Sequence, residues 1–146
     1  MSENRRDKLK LIILPKTLYD EMLKHCLNSL PIEACGLLGG VIEDEKRIVK
    51  KVYLLTNVDK SPEHFSMDPL EQFAAVKDMR KNSWILLGNF HSHPTTPARP
   101  SEEDKRLAFD RNLSYLILSL MDEKNPVLKS FRIYESHVEE EQIQII

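Results

Sequence analysis

Glycine, cysteine and tryptophan are scarce in this chain, at 4, 2 and 1 among 146 residues. Two cysteines, Cys26 and Cys35, cannot build a disulfide framework. They are expected as buried, reduced thiols, the state of a cytoplasmic protein. Long apolar runs are missing too. The run Leu11 to Leu14 falls far short of a signal-peptide core or a membrane span, so no membrane partner is expected. Neither sign of charge is in large surplus: 21 Lys and Arg face 23 Asp and Glu, for a net charge of −2. A chain so balanced offers no broad basic surface, and no nucleic-acid partner is expected. No repeat, low-complexity tract or linker interrupts it. One domain is therefore expected over residues 9–146, behind a loose tail at residues 1–8.

With 41% hydrophobic and 30% charged residues, the composition is that of a soluble globular domain. Leu9 to Leu14 is a short β-prone run stopped by Pro15. A helix follows through about Ser29, with Leu18, Met22, Leu23 and Cys26 recurring on one face. His25 neighbours Cys26 there, and helix neighbours do not face each other, so His25 is expected on the surface. Residues 36 to 55 read as a hairpin around the polar turn Glu43-Asp44-Glu45-Lys46. Three of the four glycines lie in its first strand and mark close backbone approach. His64 to Met67 reads as a short strand. Asp68-Pro69 then opens a helix to about Lys81, with an acidic N-cap and proline in the first turn. Trp84 to Phe90 is a nearly continuous apolar strand, suited to the middle of a sheet. The proline-rich loop Pro94 to Pro100 precedes a helix from Ser101 to about Arg111. Leu113 to Leu120, Val127 to Tyr134 and Val138 to Ile146 complete the strands, with His137 exposed in a turn. The order predicts an α/β (α+β) fold, a mixed sheet flanked by helices.

The chemistry concentrates after the strand Trp84 to Phe90. His91 and His93 stand two apart, so on an extended backbone both imidazoles point to one face while Ser92 points away. Seven residues later comes Ser101-Glu102-Glu103-Asp104. Two imidazoles and a carboxylate with a fourth position open is the ligand set of a catalytic zinc site, and it also suits non-haem iron. Zinc held in this way lowers the pKa of a water in the fourth position from about 15.7 to about 7. Such a site needs a proton carrier and an oxyanion donor. Glu33 is the carboxylate the rest of the chain offers for the first task. Taken alone, it reads as a solvated loop residue. Ser101 could supply its hydroxyl for the second. Its rival role is a helix N-cap with Asp104 closing a capping box, and a metal-directed Asp104 is expected to forgo that box.

Glu33, Gly36-Leu37-Leu38-Gly39-Gly40, Asn89-Phe90-His91-Ser92-His93-Pro94 and Pro100-Ser101-Glu102-Glu103-Asp104 together resemble the JAMM motif of the MPN-plus zinc metallopeptidases. Phe65-Ser66-Met67-Asp68-Pro69 resembles that family as well. The resemblance implies a deaminase-like fold, a curved mixed sheet between helices. It implies His91, His93 and Asp104 as ligands of one Zn2+ per chain, Glu33 as general acid/base and Ser101 as oxyanion stabiliser. Asn89 departs mildly from the usual context before the histidines. The loops Asn57 to His64 and Pro94 to Pro100 are too short for the inserted segments of the ubiquitin-chain cutters. The chain is similar instead to the small prokaryotic members, which act after the C-terminal Gly-Gly tail of ubiquitin-like or sulfur-carrier proteins. The strand Arg47 to Leu55 is a candidate edge for such a tail. A homodimer is one assembly open to test. Two other classes stand beside this reading: a non-catalytic, zinc-stabilised partner-binding module, and the DNA-repair relatives. Those relatives resemble His-Asn-His-Pro-Ser-Gly after the strand, whereas this chain has His-Ser-His-Pro-Thr-Thr.

Overall fold

The computed structural model describes residues 11–146. The expected tail at residues 1–8, and the expected start of the first strand at Leu9, lie outside the described residues. The element order is β1 (Leu11–Leu14), α1 (Lys16–Ser29), β2 (Cys35–Glu43), β3 (Lys46–Leu55), α2 (Pro69–Lys81), β4 (Ile85–His93), α3 (Glu102–Arg106), β5 (Ser114–Ser119), β6 (Val127–Ile133) and β7 (Val138–Ile145). The strands form one mixed sheet in the order β1-β3-β2-β4-β5-β6-β7, and parallel pairing of β7 with β1 closes it. The expected α/β fold of a mixed sheet flanked by helices is what forms; its closure is a feature the sequence pattern did not reveal.

α1 packs on the inner face of this sheet. Its Met22 and Cys26 are fully buried against Ile12, Leu14, Leu38, Phe90, Leu116 and Leu118. α2 covers the outer face of β2 and β3, where Ala75 and Met79 meet Cys35, Leu37, Tyr53 and Leu55. A third cluster, Ala98, Tyr115, Ile117, Phe131 and Ile133, lies on the far side of β4. Strand approach is close at the glycines, as their spacing predicts. A Cβ on Gly36 would collide with the Phe90 ring and the Tyr53 carbonyl, and one on Gly88 with the Ser114 carbonyl.

Four local expectations are corrected. α3 stops at Arg106 rather than Arg111. Beyond it the chain is tied back by Asp110, whose carbonyl accepts from the Tyr115 hydroxyl at 2.8 Å and whose Oδ1 accepts from Asn112 N–H at 2.8 Å. The stretch 64–67 forms no strand; only an isolated bridge links Asn57 and Met67. β3 is not an edge along its whole length, because Arg47 and Ile48 pair with β1 while the strand pairs with β2. His25 is half-buried, and its Nε2 lies 3.2 Å from both the Cys35 and Leu55 carbonyls. Both partners are acceptors, so Nε2 carries the proton and straps β2 to β3.

Candidate metal centre

β4 runs on past Phe90 through both histidines, with His91 paired to Cys35 on β2 and Ile117 on β5. The strand alternation therefore holds at the site itself: Asn89, His91 and His93 share the outer face, and Ser92 lies beneath, fully buried. Ser92 has its own task. Its Oγ accepts from Ala34 N–H at 2.8 Å, and its N–H donates to the Ala34 carbonyl at 3.0 Å. This clasp continues the β2–β4 pairing past Cys35 and fixes Glu33 beside the histidine strand.

Three ligand-type atoms converge there. His91 Nε2 and His93 Nε2 are 3.1 Å apart, and Asp104 Oδ2 lies 3.2 Å from the first and 3.1 Å from the second. Both histidines are buried, and Asp104 is largely so. His93 Nδ1 lies 2.9 Å from the Pro97 carbonyl, so Nδ1 is the protonated nitrogen and Nε2 presents a lone pair to the cluster. The His91 ring stacks on Phe65, with centroids 4.7 Å apart at 25°. Lone pairs facing each other at this range repel unless a cation or a proton lies among them. In a tetrahedral zinc site with bonds of about 2.1 Å, ligand atoms stand about 3.4 Å apart. The present triangle, slightly tighter, fits such an ion.

Electrostatics follow from burial and proximity. Burial lowers the His91 pKa and outweighs the lift from Asp104. Burial also acts to lower His93, but its bonds to Asp104 and Pro97 and the nearby carboxylate charges raise it overall. Asp104 is pushed up by burial, yet the two histidines outweigh this and hold it well below the usual carboxylate range.

The capping box is present. Ser101 Oγ accepts from Asp104 N–H at 3.0 Å, and Ser101 N–H donates to Asp104 Oδ2 at 2.9 Å. The expectation that a metal-directed Asp104 forgoes the box is thus corrected: one Oδ2 serves both the backbone and the histidine cluster. The cap aims the carboxylate, and it leaves the exposed Ser101 hydroxyl with its own proton uncommitted.

Glu33 is not a solvated loop residue; it is 4% exposed. Its backbone is held from both sides, N–H to the Ser61 carbonyl at 2.9 Å and carbonyl from Asn57 Nδ2 at 3.0 Å. Its Oε1 is buried and accepts no hydrogen bond. Burial is the main cause that pushes its pKa from 4.5 up to about 8, opposed by His93 and reinforced by Asp104. Asn57 and the Pro97 carbonyl are contributors that sequence reading missed. Pro97 lay inside the loop already marked as a tether, while a lone asparagine in a polar loop carries no signal. His64 and His137 are exposed and pair with Asp59 and Glu139, away from the cluster.

A furrow of about 400 Å³ leads away from His91 and Asp104 between the α2 and α3 sides of the outer face. Phe65, Met67 and Gln72 form one wall and Leu107 and Phe109 the other. Among the described residues, no helix is long and apolar enough to cross a membrane.

Comparison with known proteins agrees with this geometry. The solution structure of a Desulfitobacterium hafniense protein is similar at 61% identity and a TM-score of 0.86, covering 92% of each chain. The Mycobacterium tuberculosis CysO-cysteine peptidase is 29% identical over 142 residues, 97% of this chain and 96% of that one. The probable TtuB-protein conjugate cleaving protease of Thermus thermophilus is 36% identical over 95 residues, 64% of this chain and 61% of that one. The model of the prokaryotic homologs of the JAB domain matches residues 15–134. With that match spanning all but the ends of a chain whose two histidines and aspartate already converge, the chain belongs to the prokaryotic JAB family.

Proposed function

We propose that this protein is a zinc-dependent peptidase of the cytoplasm. It hydrolyses the amide bond that follows the C-terminal Gly-Gly tail of a ubiquitin-like or sulfur-carrier protein. The observation that carries the reading is the convergence of His91 Nε2, His93 Nε2 and Asp104 Oδ2 beside a buried carboxylate oxygen with no partner of its own. The named relatives support the substrate class, since one is a CysO-cysteine peptidase and another a TtuB-conjugate protease.

His91, His93 and Asp104 would hold the metal, which when bound supplies Lewis acidity and makes water acidic near neutral pH. Glu33 would accept the proton of the attacking water and pass it to the departing amine. A group that must both accept and give a proton works best with a pKa near the working pH. Burial lifts Glu33 to about 8, within reach of that range. The Ser101 hydroxyl donates to the oxygen of the attacked carbonyl as negative charge develops there. The Pro97 carbonyl keeps the lone pair of His93 on the metal side throughout.

Purified protein is expected to contain about one zinc per chain and to release the carrier's free tail from a Gly-Gly adduct, read by intact-mass spectrometry. Glu33→Ala is expected to keep its zinc and lose about 10²–10⁴-fold in cleavage rate. Full activity in that variant would sink the mechanism.

A further inference from the structure

The floor of the furrow holds one polar side chain that nothing so far has used. Asn89 lies on β4 two residues before His91, on the same face, half-buried and lining the furrow. Its ladder neighbours are Leu37 and Tyr115, and the floor continues with Ile117 and Ile133. Each of the other polar residues along the furrow makes at least one side-chain contact of its own. The Tyr115 hydroxyl is bonded to Asp110, Gln72 Nε2 donates to the Met67 carbonyl, Ser66 Oγ donates to Asp59, and Glu103 lies 3.6 Å from Arg106. Asn89 makes no side-chain hydrogen bond among the described residues, so its donor and its acceptor are both available.

A carboxamide is the side-chain copy of a peptide unit. It can accept from a main-chain N–H and donate to a main-chain carbonyl at once. Set in apolar surroundings, it rewards a polar main chain and offers nothing to a charged side chain. Its distance from the metal centre also matters. Two strand residues span about 7 Å, which is also two residues of an extended substrate lying along the furrow.

We propose that Asn89 is a specificity-determining residue that reads the main chain of the substrate's tail two residues before the glycine at the cleaved bond. It sets the register in which the scissile carbonyl meets the metal site. This rests on the peptidase reading above and assigns the furrow to the acyl side of the cleaved bond. The role is sequence-tolerant: it recognises an extended backbone rather than a side chain.

The test uses the zinc-loaded full chain and the aminocoumarin amide of acetyl-Ala-Val-Gly-Gly, with a second peptide in which the valine nitrogen is methylated. Asn89→Leu keeps size and removes both hydrogen-bonding functions. It is expected to lower kcat/KM on the unmethylated peptide about 10-fold, chiefly through KM, because the contact is equal in ground and transition states. Methylation is expected to cost the native enzyme about 10-fold and Asn89→Leu less than about 2-fold, since the two changes remove one interaction. Equal methylation penalties in the two enzymes, or an unchanged KM in Asn89→Leu, overturn the inference. If Asn89→Leu fails to fold, Asn89→Ala takes its place in the same cycle. A binding measurement separates this inference from the peptidase reading. On titration with acetyl-Ala-Val-Gly-Gly acid, the Asn89 side-chain amide resonances are expected to shift while the Asn125 amide stays still. Shifts without cleavage by the native enzyme would sink the peptidase reading and with it the register role, leaving Asn89 only as a tail-binding contact. Cleavage with no shift at Asn89 would overturn the inference and leave the peptidase reading standing.

Discussion

Glu141 and Glu33 are both buried carboxylates, 1% and 4% exposed, and their surroundings differ in kind. Glu141 on β7 sits between Arg47 of β3 and Arg132 of β6, its Oε2 3.9 Å and 3.7 Å from their guanidinium nitrogens. Ser130 donates to its Oε1 at 2.7 Å, and Arg47 donates to the Leu87 and Asn112 carbonyls at 2.8 and 2.6 Å. Charge meets opposite charge, and backbone carbonyls take two of the Arg47 donors, although Arg47 Nε donates no hydrogen bond and Glu141 Oε2 accepts none. Around Glu33 the logic is reversed. Its Oε1 has no partner, and the neighbouring cluster brings lone pairs together. Burial of charge alone thus does not mark a functional site. Opposite charges tie β3, β6 and β7 together, whereas Glu33 has no ion pair among the described residues and is open to a proton, a cation or a substrate.

The contrast predicts opposite signs for one chemical change. Glu141→Gln removes the buried carboxylate that faces the Arg47 guanidinium and is expected to cost about 3–5 kcal/mol. Glu33→Gln is expected to stabilise the metal-free protein at pH 8. The raised pKa of Glu33 means the unfolded chain ionises first. The contribution of Glu33 to native stability is therefore fully present below about 4.5 and is lost as pH rises toward about 8. The glutamine variant lacks that decline. Urea midpoints at pH 5 and pH 8, with chelator present, check both signs. Equal destabilisation by the two variants would erase the distinction.

Metal removal should produce a smaller change in stability. The ligands hang from a closed sheet with its own apolar core and from a capped helix. A chelator is therefore expected to abolish cleavage while lowering the melting temperature only by the binding contribution. Loss of near-ultraviolet circular dichroism on chelation would favour a zinc-stabilised binding module instead.

The smallest effect concerns groups that are buried and idle. Cys26 and Cys35 are free and buried, and burial is the main cause that pushes each thiol up to about 12. A disulfide reagent at pH 8 is expected to label neither in the native protein and both in guanidinium. Rapid native labelling would show that burial here is less complete than at Glu141.

How much of this was legible depends on range along the chain. The His91–His93 pair was legible because alternation on a strand is a two-residue rule, and the strand continues through both. Ser101 and Asp104 were legible because a capping box spans only three residues. Glu33 was not, beyond its resemblance to a motif, because the clasp that buries it joins residues 58 apart in sequence. No local pattern marks Arg132 and Glu141 as partners; closure of the sheet brings them together with Arg47. α3 was overextended for the same reason, since Leu107 to Phe109 suit a helix until the Asp110–Tyr115 tie is known.

Residues 94–100 look like a surface loop, the kind of segment in which length drifts cheaply, at about 0.6 kcal/mol for each doubling. The bond from His93 Nδ1–H to the Pro97 carbonyl makes this loop a ruler instead. One residue inserted between His93 and Pro97 would carry the carbonyl off the ring and release the imidazole to protonate on its other nitrogen. The domain would still fold, and the lone pair would face the wrong way. Length variation compatible with hydrolysis is therefore confined to loops elsewhere, such as the turn at residues 121–126, where no ring nitrogen is counting.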